Sequence, residues 1–255
     1  MIRVVKIGGG VIDDDDKLNA VLDSIAQSPD PTVLIHGGGR LATDLAKRLG
    51  VEQTMVDGRR ITDLDTLQIV TMTYAGWVNK RIVAQLQARG INAIGATGAD
   101  ADLIRSKVRP STPIDFGFVG DPVSVNVSAL KTLSELSGSG PTCVVLAPIT
   151  HDGKGTLLTT NADTIAADVA LARAADSELV FAFEHVGVMR SLQDPRTLLA
   201  KLSQQDAQSM IESGEIHTGM LPKIQNALRA VAGGVQRVRI CRYDAIDTEE
   251  GTWIS

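Results

Sequence analysis

The chain has 255 residues, a formal net charge of −5, and 44% hydrophobic against 22% charged residues. That length suits one large domain or two small lobes around a sizeable core, and the composition excludes disordered, collagen-like and coiled-coil chains. The acidic balance and only 3% aromatic residues argue against a nucleic-acid partner, which needs cations over a phosphate backbone or rings to stack on.

Cys143 and Cys241 each sit in an apolar run. Two distant cysteines make neither a disulfide framework nor a zinc set, so they read as buried thiols of a reducing compartment. No apolar stretch reaches the ~18 residues that a membrane span needs. Met1 leads directly into a β-type run without a signal-peptide core. The expectation is a soluble, cytoplasmic protein with no membrane partner.

In chain order, the first expected strand is 3–7, which carries Lys6 and runs into Gly8-Gly9-Gly10. A helix is expected over 14–27, then a strand over 32–36 ending in Gly37-Gly38-Gly39, then a helix over 39–49. Two glycine triplets at the carboxyl ends of successive parallel strands point to an anion site, because that edge of an open α/β sheet binds ligands and glycine lets them approach the backbone N–H groups. Neither triplet has the spacing of a dinucleotide fingerprint or a P-loop. Lys6 reads either as a strand-end lysine snorkelling to solvent or, more strongly, as a point charge beside an anion loop.

Arg60, in Gly58-Arg59-Arg60-Ile61-Thr62, precedes a long helix expected over 62–89. It could clasp a carboxylate in bidentate fashion; a solvated arginine pair is the competing reading. The helix places Leu67, Val70, Tyr74, Trp77, Val78, Ile82 and Leu86 on one face and further apolar residues elsewhere, so it is buried on more than one side and is the expected subunit interface of a homodimer. A strand follows at 91–94. Residues 116–126, with Gly120-Asp121-Pro122 in the middle, read as a β-hairpin, and Arg105, Lys107 and Arg109 are expected in a loop before it. After a helix at 128–136, Gly138-Ser139-Gly140-Pro141 is the expected hinge between a lobe 1–140 and a lobe 141–255.

The second lobe is expected to hold strands at 142–148, 178–183 and 236–242 and helices at 161–175, 203–213 and 219–232. Nearly all-apolar strands alternating with helices imply an open, mostly parallel α/β sheet with helices on both faces. In Thr159-Thr160-Asn161-Ala162-Asp163, Asn161 fits an N-cap and Asp163 the first helical turn. In Gly219-Met220-Leu221-Pro222-Lys223, Pro222 fits a first turn, and Lys223 lies where a helix dipole disfavours a cation. That placement suggests an anionic neighbour, with an ordinary surface lysine as the alternative. Glu184-His185 ends an apolar strand and could line a site. The four histidines lack metal-ligand spacing.

In order along essentially the whole chain, Lys6-Ile7-Gly8-Gly9, His36-Gly37-Gly38-Gly39, Gly58-Arg59-Arg60-Ile61-Thr62, Thr97-Gly98-Ala99-Asp100, Gly117-Phe118-Val119-Gly120, Asn161-Ala162-Asp163 and Gly219-Met220-Leu221-Pro222-Lys223 resemble the amino-acid kinase family, and within it the acylglutamate branch. The resemblance implies a two-lobed fold with a β-hairpin lid. The 1–140 lobe would bind the acyl-amino acid and dimerise, and the 141–255 lobe would bind nucleotide. It implies ATP-dependent phosphorylation of the γ-carboxylate of N-acetylglutamate to an acyl phosphate, in arginine biosynthesis, with Mg²⁺ bound through the phosphates. By the same resemblance Lys6 and Lys223 are the catalytic cations and Asp163 orients them. Gly37, Gly38, Arg60, Thr159 and Asn161 would contact the acyl-amino acid, and Gly8, Gly9, Glu184, Gly219 and Met220 the nucleotide. Relatives inhibited by arginine typically carry an extra N-terminal helix that links dimers into hexamers. A chain that starts at its first strand is therefore expected to form no hexamer and to resist arginine.

Three positions depart from the family pattern. Thr159 stands where an asparagine is usual, Glu184-His185 where an Asp-Val pair is, and Ala101 where a glycine is. The first leaves the acyl group open between acetyl and succinyl. Another amino-acid kinase, or a silent amino-acid sensor on the same fold, are the further alternatives; retention of Lys6, Asp163 and Lys223 argues against silence.

Overall fold

The computed structural model describes residues 1–56, 59–135, 141–191, 194–216 and 219–255; residues 138–140 of the expected hinge lie outside them. An eight-stranded sheet runs in the order β12-β14-β13-β11-β1-β2-β8-β5. Its strands are β1 (Ile2–Ile7), β2 (Thr32–His36), β5 (Asn92–Ala96), β8 (Thr142–Leu146), β11 (Ser177–Phe183), β12 (Lys201–Leu202), β13 (Arg237–Arg242) and β14 (Thr252–Ile254). All neighbours are parallel except β13 and β14. β1 lies at the centre, between β2 and β11, and β8 of the second half of the chain inserts between β2 and β5 of the first.

The alternation of side chains along β1 divides the core. Ile2 and Val4 face one hydrophobic cluster with α7 (Ala162–Leu171) and α9 (Leu221–Ala232). Val5 and Ile7 face a second cluster with α2 (Asp15–Gln27) and α5 (Asn79–Gln87). Lys6 continues the Ile2–Val4 row, so the sheet's own period aims its side chain at the α7/α9 layer. α2 begins at Asp14, whose carboxylate accepts from the N–H groups of Asp16 and Lys17. It then buries Leu18, Val21, Leu22 and Ile25 on one stripe. The thiols of Cys143 and Cys241 are buried in the sheet, and burial pushes them up to about 12 and about 11.

A second sheet, β10-β9-β6-β7, comprises β6 (Ile104–Val108), β7 (Gly120–Val125), β9 (Ile149–His151) and β10 (Leu157–Thr159). This corrects two expectations. Residues 116–126 are not a hairpin by themselves: Gly120–Val125 is one strand with Asp121-Pro122 inside it, antiparallel to Ile104–Val108. Arg105 and Lys107 therefore lie on a strand, not in a loop. Ile104 and Ser106 are buried while Arg105 and Lys107 are exposed, a period of two hidden by the charge. The β6–β7 pair is a hairpin whose connection carries Arg109 and Val119 to the wall of a cleft. The long expected helix is α4 (Leu64–Thr71), a π-helical turn (Met72–Val78) and α5 in one continuous run.

Candidate active site

β1 carries the chain to Gly8, which opens the short helix α1 (Gly9–Ile12), and β2 carries it to Gly37, whose N–H donates to Ile7 O at 2.9 Å. The two glycine loops are thereby pressed together: a Cβ on Gly9 would stand 3.0 Å from the Gly39 Cα. A Cβ on Gly38 would fall within the ring of Tyr74, at 1.8 Å, so only glycine fits beneath that ring. Tyr74 comes from the π turn, whose extra residue per turn resets the helix face.

Behind the second loop His36 is fully buried. Its Nδ1–H donates to Gly37 O at 2.7 Å, and its Nε2 accepts from Asn79 Nδ2 at 3.3 Å, which also donates to Val145 O. Burial pushes the imidazole down to about 4. The ring is thus a neutral strut under the Gly37–Gly38 turn.

At the opposite wall Asn161 caps α7, its side-chain oxygen accepting from the N–H groups of Asp163 and Thr164 at 2.8 and 3.1 Å. The cap turns Asp163 inward, where it is 5% exposed. Lys6 Nζ lies 2.7 Å from Asp163 Oδ1, an ion pair with no aligned hydrogen bond at that oxygen. Lys223, in the first turn of α9, reaches Asp163 Oδ2 from the other side at 3.6 Å. Burial alone would raise the Asp163 carboxyl; Lys6 and Lys223 outweigh it and hold it below the usual carboxylate range. Burial, then the nearby Lys6, pull Lys223 below the usual lysine range against the opposing pull of Asp163. The arrangement is two cations on one carboxylate, so one positive charge is left over for an anion.

This triad stands between two clefts. One, of ≈ 280 Å³, is largely apolar: Phe183, Val188, Met189, Ile216 and Met220 form its walls, with Gly8, Gly9, Glu184, Gly219 and Lys223 at its edge. The Glu184 carboxylate packs over Gly10, where a Cβ would meet it at 1.4 Å, and His185 lines the same cleft with its ring edge-on to Phe183. The other cleft, of ≈ 250 Å³, is polar. Lys6, Gly37, Gly38, Arg60, Tyr74, Thr159, Asn161 and Asp163 line it, joined by Thr62, Arg109 and Val119. The Arg60 guanidinium is held by Gln53 and by Thr43 Oγ1. Gly117, at φ +67°, lets the segment leading into β7 run against Thr62, whose carbonyl accepts from Phe118 N at 2.7 Å.

The structure therefore brings together every expected site residue and divides them between two adjoining clefts. Sequence reasoning assigned no site role to Tyr74, Thr62, Val188, Met189 or Ile216. Tyr74 was visible only as one apolar member of a helical stripe, and nothing local marks Val188 or Ile216. Among the described residues no three His, Cys, Asp or Glu side chains converge as a metal site.

A buried carboxylate flanked by two lysines stands between an apolar and a polar cleft at the carboxyl edge of a parallel sheet, an arrangement that suits a phosphotransferase. The chain belongs to the amino-acid kinase family, whose sequence model matches residues 1–242. It is 46% identical to an acetylglutamate kinase of Bacteroides fragilis over 99% of this chain and 96% of that one. It is 38% identical to an acetylglutamate kinase of Methanopyrus kandleri, covering 98% and 99% of the two chains. Among solved structures, smu.665 from Streptococcus mutans superposes with a TM-score of 0.81 at 26% identity, covering all of this chain and 98% of that one. N-acetylglutamate synthase from Neisseria gonorrhoeae, complexed with coenzyme A and N-acetylglutamate, gives 0.79 at 24%, covering all of this chain and 59% of that one. The second likeness is one of fold.

Proposed function

We propose that this protein transfers the γ-phosphoryl group of ATP to the side-chain carboxylate of an N-acylated glutamate, N-acetylglutamate being the substrate that its relatives' name gives, and so makes the acyl phosphate of arginine biosynthesis. The observation that carries the reading is the Lys6–Asp163–Lys223 cluster at the junction of the two clefts. Transfer between two anions is opposed by their repulsion, and the protein's task is to position them and neutralise charge on the moving group. Lys6 from the sheet and Lys223 from α9 supply that charge, and Asp163 aims both ammonium groups. The attacking carboxylate is already ionised near neutral pH, so no general base is needed.

The apolar cleft suits a nucleobase, with Gly8, Gly9 and Gly219 at the phosphates. The polar cleft suits the acyl-amino acid, its γ-carboxylate on Gly37–Gly38 and its α-carboxylate on Arg60. Mg²⁺ would be held chiefly through ATP's phosphates and would screen their charge. In this reading the 1–140 lobe serves chiefly the acyl-amino acid and the 141–255 lobe chiefly the nucleotide, with Gly8 and Gly9 of the first reaching the phosphates and Thr159 and Asn161 of the second lining the polar cleft.

The exposed Leu64, Met72 and Trp77, all on the α4–π–α5 run, support a homodimer built there. Light scattering at micromolar concentration tests it, a monomer being the contrary result. ADP release tests the reaction: it should require an N-acylglutamate, and release unaffected by adding one would contradict the proposal.

A further inference from the structure

We infer that the acyl group this site prefers carries a carboxylate of its own, a dicarboxylic acyl chain such as succinyl, and that Arg109 is the residue that selects it. The inference rests on the kinase reading above and changes only the acyl group.

The polar cleft is lined by three cationic side chains, Lys6, Arg60 and Arg109. A glutamate with an uncharged acyl group brings two carboxylates. The glycine loop with Lys6 receives one and Arg60 the other, so neither needs Arg109, whose charge is met on one side by Asp121. Its geometry leaves one edge free. Nε and Nη2 of Arg109 donate to the Asp121 carboxylate, and the guanidinium lies 5.6 Å from the Phe116 ring centroid. These contacts fix its plane. Nη1, with two N–H donors, is buried and has no hydrogen-bond partner among the described residues.

A buried guanidinium nitrogen left unpaired is costly, and a ligand acceptor would relieve it. A carboxylate is the acceptor best matched to a fixed guanidinium edge. The adjoining wall does not compete for that role. The Thr159 hydroxyl lies 3.2 Å from both Phe118 O and Thr62 Oγ1, so it is spent on holding the segment that leads into β7. Threonine at this position leaves room without offering a free amide.

The test measures ADP release by the purified full chain with three probes: N-acetylglutamate, N-succinylglutamate and N-butyrylglutamate. The last matches the chain length of succinyl without its charge. The expected result is a kcat/KM for the succinyl compound at least tenfold above the acetyl compound, about 1.4 kcal/mol, with the butyryl compound no better than acetyl. Arg109→Gln should bring the succinyl-to-acetyl ratio towards one. Equal or reversed selectivity in the unmodified protein overturns the inference and leaves the kinase reading standing. A butyryl compound as good as succinyl also overturns it, because length and not charge would then be read. ADP release with none of the three removes the kinase reading and this inference with it.

Discussion

Lys223→Ala separates catalysis from folding better than any other change at the site. Asp163 keeps Lys6 at 2.7 Å when Lys223 is gone, and it loses only the longer 3.6 Å contact. Lys223 also holds its charge against burial and against Lys6, so its removal relieves a desolvation cost while it deletes an ion pair. The net change in stability should be about 1 kcal/mol or less. Loss of one preorganised charge from the transferring phosphoryl should lower kcat by about 10²–10³, roughly 3–4 kcal/mol. Lys6→Ala differs: Asp163, 5% exposed, loses its close partner, and breaking such a buried pair costs about 3–5 kcal/mol of stability as well as rate. The assay is steady-state ADP release beside urea unfolding of each variant. Near-normal kcat in folded Lys223→Ala would refute the charge-neutralisation argument, and a large loss of stability in that variant would refute the assignment of Lys6 as the partner that keeps Asp163 satisfied.

Arg60→Lys keeps the charge but loses the planar fork that Thr43 and Gln53 hold in place, so KM for the acylated amino acid should rise more than KM for ATP; equal shifts would remove Arg60 as the α-carboxylate anchor. His36 is neutral when folded, at about 4 against 6.5 for the free side chain, so the unfolded chain takes up its proton first and stability falls with pH from about 6.5 towards 4. By linkage His36 should account for about 2 kcal/mol lost between pH 7 and 5. The depressed carboxyl of Asp163 destabilises only below the ordinary carboxylate range, and Asp168, raised by burial, acts in the opposite sense. Urea midpoints at the two pH values, compared with His36→Gln, isolate the effect, and an unchanged pH dependence in that variant would count against it. Ala101 adopts φ +51°, a region that disfavours a Cβ, so Ala101→Gly should be stabilising by about 0.5–1 kcal/mol; a lowered Tm would contradict this.

Six of the eight strands of the central sheet were legible because they are mostly apolar and because β1 and β2 each run into a glycine triplet; β12 and β14, of two and three residues, were too short to register. Lys6 and Lys223 were legible as charges in the wrong place, a lysine in an apolar strand and a cation at a helix start; Asp163 read only as an acid in a favourable first helical turn, and its role came from the family resemblance. The second sheet was not legible. Residues 149–151 and 157–159 form strands of three residues, too short for a period to register, and in β6 the charges of Arg105 and Lys107 masked the alternation of Ile104 and Ser106. The π turn left no mark because the apolar residues of Met72–Val78 fit a helical stripe in either winding, yet it sets Tyr74 over Gly38. The apolar cleft is built from residues 183–220, and only the sheet's crossing order puts them beside Gly8.

The most direct test of the proposed chemistry is to trap the product. An acyl phosphate reacts with hydroxylamine to give a hydroxamate, so the purified protein incubated with ATP, Mg²⁺, hydroxylamine and an N-acylglutamate should yield hydroxamate in step with ADP. ADP released without hydroxamate, or hydroxamate formed equally well from aspartate, would contradict a phosphotransferase acting on the side-chain carboxylate of an acylated glutamate.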